Sequence, residues 1–273
     1  SIAACLLLIL VFSPLLVLWG PGKLQRHTYH EISFEVIARN ELAVAGTDQA
    51  YILSAIDYIQ ENLWLFPNSA PYDGKTFDYL VTGIGWCDYY AKVFCELMAV
   101  RGIGARYSYL YDSSGISPHT VVEIFQDNRW QASDPYFNLI HQKNPREWMA
   151  LEEMTPTFIA QLPEVGLASG NEDVYNSMMG TARRVDSLPQ PPQRSDNFLE
   201  EKHLLDAIAK NYVKLFGSGF ANWYQDRYLP RVLREIEDPV KRLWVKGRSY
   251  QIYGRFKRTE PIYREILGRS DVG

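Results

Sequence analysis

The chain has 273 residues, 47% of them apolar and 22% charged, with a formal net charge of -4. That length suits one substantial domain with an appendage, or two modest domains. The near-balanced charge excludes a basic-patch nucleic-acid binder and a disordered acidic tail. The cysteines are Cys5, Cys87 and Cys95. Cys87 and Cys95 would lie about 12 Å apart on one helix, too far for a disulfide. No CxxC or clustered His/Cys set suggests a structural zinc site, so neither a metal nor another cofactor is expected.

Residues 2–20, IAACLLLILVFSPLLVLWG, form an uncharged run close to the roughly 20 residues a bilayer core requires. We read residues 1–22 as a transmembrane anchor, the competing reading being a signal-peptide core, which is usually shorter at about 7–15 apolar residues. Lys23 and Arg26 follow the run. By the positive-inside tendency they favour a cytoplasmic side for what comes next.

Further along, TDQAYILSAIDYIQENLW at 47–64 carries apolar residues at 52, 55, 56, 59 and 63. This spacing predicts a helix with one buried face, with Thr47 or Asp48 as N-cap. FPNSAPYDGKTFDY is dense in turn residues and predicts a surface loop leading to Gly83-Ile84-Gly85-Trp86-Cys87. From Cys87 the inward stripe Ala91, Phe94, Cys95, Met98 ends at Arg101-Gly102, a helix of about 15 residues. RYSYLYD at 106–112, then HTVVEIFQ, the hairpin signal Asp127-Asn128 and RWQASDPYF predict an antiparallel meander. Residues 163–197 read as an irregular linker, with the Pro-rich SLPQPPQRSDN at its end, and 198–273 as a helical region.

A hairpin centred on Asp127-Asn128 pairs Phe125 with Trp130, Val121 with Asp134 and His119 with Tyr136. His119 and Asp134 then share one sheet face as diagonal neighbours, the separation needed by a base and its orienting acid. A slip of one residue would send them to opposite faces. A cysteine opening a helix feels the positive end of the helix dipole, which favours thiolate, and the unpaired N–H groups of the first turn can receive an oxyanion. Gly83 and Gly85 permit a tight approach to that turn, and Trp86 would wall the cleft. Each residue also has a plain structural reading: an inward cysteine as a small apolar side chain, a histidine opening a strand, an aspartate before proline as a turn former. The conjunction of helix-start Cys, strand His and next-strand Asp points to nucleophilic catalysis.

The segment GWCDYYAKVFCELMAVRGIGARYSYL and its continuation PHTVVEIFQDNRWQASDPYF resemble the transglutaminase-like superfamily. The likeness lies in the Gly-x-Cys, the Gly-Ile-x-Ala-Arg leading to a strand, the His-Thr-x-x-Glu strand, the turn before Trp and the Asp-Pro. The resemblance implies an α+β, papain-like core in which the Cys helix packs on an antiparallel sheet. It implies Cys87 as nucleophile, His119 as general base and acid, and Asp134 as the residue orienting the imidazole. Tyr79, Thr82 and Trp86 are candidates for oxyanion or cleft residues. No pattern resembles the calcium loop of the animal tissue enzymes.

The expected organisation is therefore a transmembrane anchor at 1–22, a transglutaminase-like catalytic domain at 23–162, a linker at 163–197 and C-terminal helices at 198–273. The expected activity is attack on a peptide or protein amide through a thioester, with hydrolysis favoured over acyl transfer. The alternative is a non-catalytic scaffold within a membrane or envelope-polysaccharide assembly. A single-pass anchor through 2–20 with an extracytoplasmic catalytic domain follows the arrangement of similar bacterial proteins. The C-terminal helices are the candidate surface for a protein partner.

Overall fold

The computed structural model describes residues 22–43, 45–64, 76–111, 119–140, 142–144, 147–148, 183–184 and 204–270. In chain order these form α1 (Gly22–Asn40), α2 (Asp48–Asn62), α3 (Thr76–Thr82), α4 (Cys87–Arg101), β1 (Gly104–Tyr111), β2 (His119–Gln126) and β3 (Arg129–Asp134). They continue as β4 (Leu139–Ile140), β5 (Gln142–Asn144), β6 (Glu147–Trp148), β7 (Arg183–Arg184), α5 (Leu204–Arg234), α6 (Pro239–Ile252) and α7 (Phe256–Ser270). The expected anchor at 2–20 lies outside the described residues; among those described, no helix is long and apolar enough to cross a membrane.

The chain divides into two compact units. One ends at Glu41 and resumes at Lys202, and the other runs from Leu42 to Glu201. A catalytic domain beginning at residue 23 does not match this division, because α1 packs against α5 instead. The reason is its sequence: Tyr29, Ile32, Val36 and Ile37 are buried together with Thr28 and Ser33, and each polar group needs a partner. For Ser33 the C-terminal helices supply one. The Ser33 hydroxyl donates to the Tyr29 carbonyl at 2.7 Å and meets the Tyr253 hydroxyl at 2.8 Å. Tyr224 donates to the Gln25 carbonyl, and Arg231 donates to the Gln25 side chain. Within the same unit, Asp238 caps α6 by accepting from the Val240 and Lys241 amides, ahead of Pro239 at the first helical position. Along the middle of α5, Tyr212, Phe216, Gly219, Phe220 and Trp223 line an open groove of about 460 Å³.

In the second unit, α2 is capped by Thr47, whose side chain accepts from the Ala50 amide, and it buries Ile52, Ala55, Ile56 and Ile59 as its spacing requires. α4 buries Ala91, Phe94, Cys95 and Met98 and packs on β1 and β2. The sheet is antiparallel in the order β4-β3-β2-β1-β7. Its β2–β3 register pairs Phe125 with Trp130. Asp127 and Asn128 both take positive φ, 51° and 61°, the left-handed pair of a type I′ turn that matches strand twist. The outermost strand comes from within 163–197: Arg183 and Arg184 pair with Tyr111 and Leu110, so part of that stretch completes the sheet and is not linker. The Pro-rich 187–197 lies outside the described residues.

α4 ends at Gly102 with φ 82°, where a Cβ would meet nothing within 4 Å. Only backbone strain opposes a side chain there. Gly102→Ala is expected to lower the unfolding free energy by about 1–2 kcal/mol in urea titration, and an unchanged midpoint would mean that the helix can end without the left-handed residue.

Candidate active site

Cys87 is the first residue of α4, preceded by Trp86 as N-cap, with no side chain capping the helix start. The Trp86 carbonyl accepts from the amides of Tyr89 and Tyr90. The Cys87 and Asp88 amides precede the first helical bond, at the positive end of the helix dipole. The loop into this turn is fixed from α2: the Trp64 amide donates to the Gly83 carbonyl at 2.8 Å, and the Gly85 amide returns to the Trp64 carbonyl at 3.1 Å. Gly83, at φ 73°, lies so close to the Trp64 ring that a Cβ would sit 2.6 Å from it, so the approach requires glycine.

His119 opens β2 and Asp134 closes β3, and neither is exposed to solvent. Their side chains meet, His119 Nε2 lying 2.5 Å from Asp134 Oδ2, the diagonal contact the hairpin register allows. Asp134 Oδ1 accepts from the amides of Tyr136 and Phe137 at 3.1 and 3.3 Å. Both carboxylate oxygens are thus satisfied inside the protein. The Cys87 thiol lies near enough to the same imidazole to raise its proton affinity. With Nε2 held by Asp134, Nδ1 is the nitrogen left for the thiol. Burial works against a charged imidazole, but Asp134 and then Cys87 outweigh it and raise His119 to about 10.

The remaining candidates sit around this group. Trp86 is 40% exposed at the helix start. Tyr79 is buried and stacks on Tyr89 with centroids 3.9 Å apart, and the Thr82 hydroxyl donates to the Tyr79 carbonyl at 3.0 Å; both serve the packing of α3. Two residues that sequence reasoning did not single out join the cluster. The Tyr136 ring stands edge-on to His119 and to Tyr90. Burial, then the charges of Cys87 and Asp134, lift its phenol to about 12, so it stays a donor at neutral pH. From α2, Gln60 Nε2 donates to the carbonyls of Pro135 and Tyr136. The Asp-Pro-Tyr string was visible, whereas nothing local marks Gln60. Among the described residues no group of His, Cys, Asp or Glu could hold a metal ion.

Residues 37–135 match the model of the transglutaminase-like superfamily. This segment is similar to that superfamily. Cys87, His119 and Asp134 all fall inside the transglutaminase-like segment, which is a minority of the chain. No curated protein matches the chain. Among solved structures, a protein from Cytophaga hutchinsonii named as a candidate cysteine protease is similar at 21% identity and a TM-score of 0.34. That match covers 38% of this chain and 37% of the other.

An imidazole of ordinary affinity near 6.5 when unfolded that rises to about 10 when folded binds its proton more tightly in the native state. Its contribution to stability is whole below pH 6.5 and is lost as pH climbs through 10. Asp134→Asn removes the largest charge raising it. Urea unfolding across that window should show the wild type losing more stability with rising pH than Asp134→Asn; parallel curves would mean that Asp134 does not hold the proton.

Proposed function

We propose that this chain is a membrane-anchored, transglutaminase-like cysteine enzyme that hydrolyses amide bonds in peptides or proteins. The observation that carries the reading is a buried His119–Asp134 pair whose imidazole is influenced by Cys87, at a helix start with no side-chain cap. In the proposed cycle the Cys87 thiolate attacks the amide carbonyl. The oxyanion is received by the open amides of the α4 first turn. His119 passes its proton to the departing amine, the C–N bond breaks and a thioester to Cys87 remains. Neutral His119 then takes a proton from water, whose oxygen attacks the thioester. Collapse releases the acid and returns the thiolate and imidazolium. Asp134, accepting from Nε2–H throughout, keeps Nδ1 turned to the sulfur. Hydrolysis is preferred to transfer because water is always present and no feature marks an acceptor-amine site.

The uncharged run at 2–20 supports a single-pass anchor, and we place the catalytic domain on the extracytoplasmic side. Deleting 2–20 should release the protein from the membrane fraction; retention there would remove the anchor from the proposal.

Cys95 is a built-in control, because burial, then Glu96, pushes its thiol far above the ordinary range. Iodoacetamide at neutral pH should label Cys87 and spare Cys95 in the native chain. Cys87→Ala should fold normally while losing labelling and hydrolysis of an unfolded protein substrate. His119→Ala should lower turnover by about 100-fold or more, and Asp134→Asn should lower it no more than that. Full activity in Cys87→Ala would overturn the Cys87 mechanism, and a wild type without hydrolysis whose Cys87 reacts no faster than Cys95 would favour a binding scaffold.

A further inference from the structure

We propose that Gln60 is a positioning residue for the catalytic acid, holding the turn after β3 so that Asp134 keeps its grip on His119. The proposal rests on the reading of Cys87, His119 and Asp134 as a catalytic triad. Its basis is a continuous line of hydrogen bonds. Gln60 Nε2 reaches out of α2 and donates to two successive carbonyls, those of Pro135 and Tyr136. The same turn directs the amides of Tyr136 and Phe137 onto Asp134 Oδ1, and Asp134 Oδ2 meets His119 Nε2. The turn closes at Asn138, which takes φ 57°, a left-handed position that Asn adopts more readily than most residues. From outside the turn, one side-chain amide with two donors fits two adjacent carbonyls.

Gln60 touches neither the thiol nor the imidazole, so its effect passes through Asp134. A loosened turn lets the carboxylate move away from Nε2, and the attraction of an opposite charge falls steeply beyond about 4–6 Å. The titratable groups facing His119 are Asp134 from β3, Cys87 from α4 and the Tyr136 ring from the turn. Of these, Gln60 governs the first and third. A purely structural clamp would make a different signature, costing stability while leaving the proton affinity of His119 in the folded state unchanged.

The test follows His119 by NMR in the histidine-labelled full chain, assigned by loss of its signal in His119→Gln. Gln60→Met keeps the volume of the side chain and removes both donors; Gln60→Ala removes the side chain altogether. Ile56→Val, which thins the packing of the same helix away from the turn, is the control for stability loss. The expected result is a titration midpoint about one pH unit lower in Gln60→Met, a tenfold loss of proton affinity, with weakening of the downfield Nε2–H resonance and no shift in Ile56→Val. A midpoint in Gln60→Met equal to the wild type, whatever its melting temperature, would overturn the proposal. Labelling of wild-type Cys87 serves to separate the two readings. If the rate is indifferent to His119→Ala, the triad itself fails and the role of Gln60 with it; if it depends on His119 while the midpoint ignores Gln60, only the positioning role fails.

Discussion

The last turn of α2 is the constraint on which the site depends. Cys87 at the head of α4 and Asp134 at the foot of β3 have no local reason to come together, and residues 60–64 tie their segments to one another. Trp64 pairs with the loop that leads to Cys87, the Leu63 carbonyl accepts from the Tyr90 hydroxyl at 2.6 Å, and Gln60 holds the turn behind Asp134. Ile59 and Leu63, both fully buried, seat that turn in the core. A helix end anchored in this way is stiff, which is what a site needs when its parts come from distant segments.

The second ingredient is charge held away from water. Burying an ion pair is favourable only when every remaining hydrogen-bonding position is filled, and the sheet meets this condition twice. Asp134 is satisfied by His119 and two amides. Two residues further along the same face of β2 than Val121, Glu123 is fully buried and receives Arg106 and Ser108, while the Arg106 guanidinium lies 4.1 Å from the centre of the Trp130 ring. The charges that act on His119 are those of Asp134 and Cys87. The thiol therefore meets an imidazole that retains its proton despite its burial.

Much of this was legible in the sequence because it is periodic or chiral. The stripes of α2 and α4 follow a helical period, Gly102 marks a helix end, and Asp127-Asn128 fixes the register that places His119 beside Asp134. What was not legible depended on long-range partners. Gln60 sits on the polar side of its helix like any solvated glutamine, and its carbonyl acceptors lie at 135 and 136. α1 went unrecognised because its buried positions mix Thr28, Ser33 and Gln25 with Tyr29, Ile32 and Ile37, which erases the hydrophobic period. β7 is two residues long and exists by pairing with β1, so no pattern of its own could announce it.

The packing of α1 against helices from the far end of the chain has a consequence during synthesis. α1 leaves the ribosome before the whole of Leu42–Glu201, yet its buried face is completed by α5 and by Tyr253 beyond α6. At about 5–20 residues per second, the wait lasts on the order of ten seconds or more. In that interval the continuous unit can fold around its own sheet while α1 exposes a half-finished surface carrying Tyr29, Ile32, Phe34 and Ile37. The discontinuous unit is thus assembled last, and any nascent chain stopped before α5 leaves that surface open to whatever binds unpartnered helices.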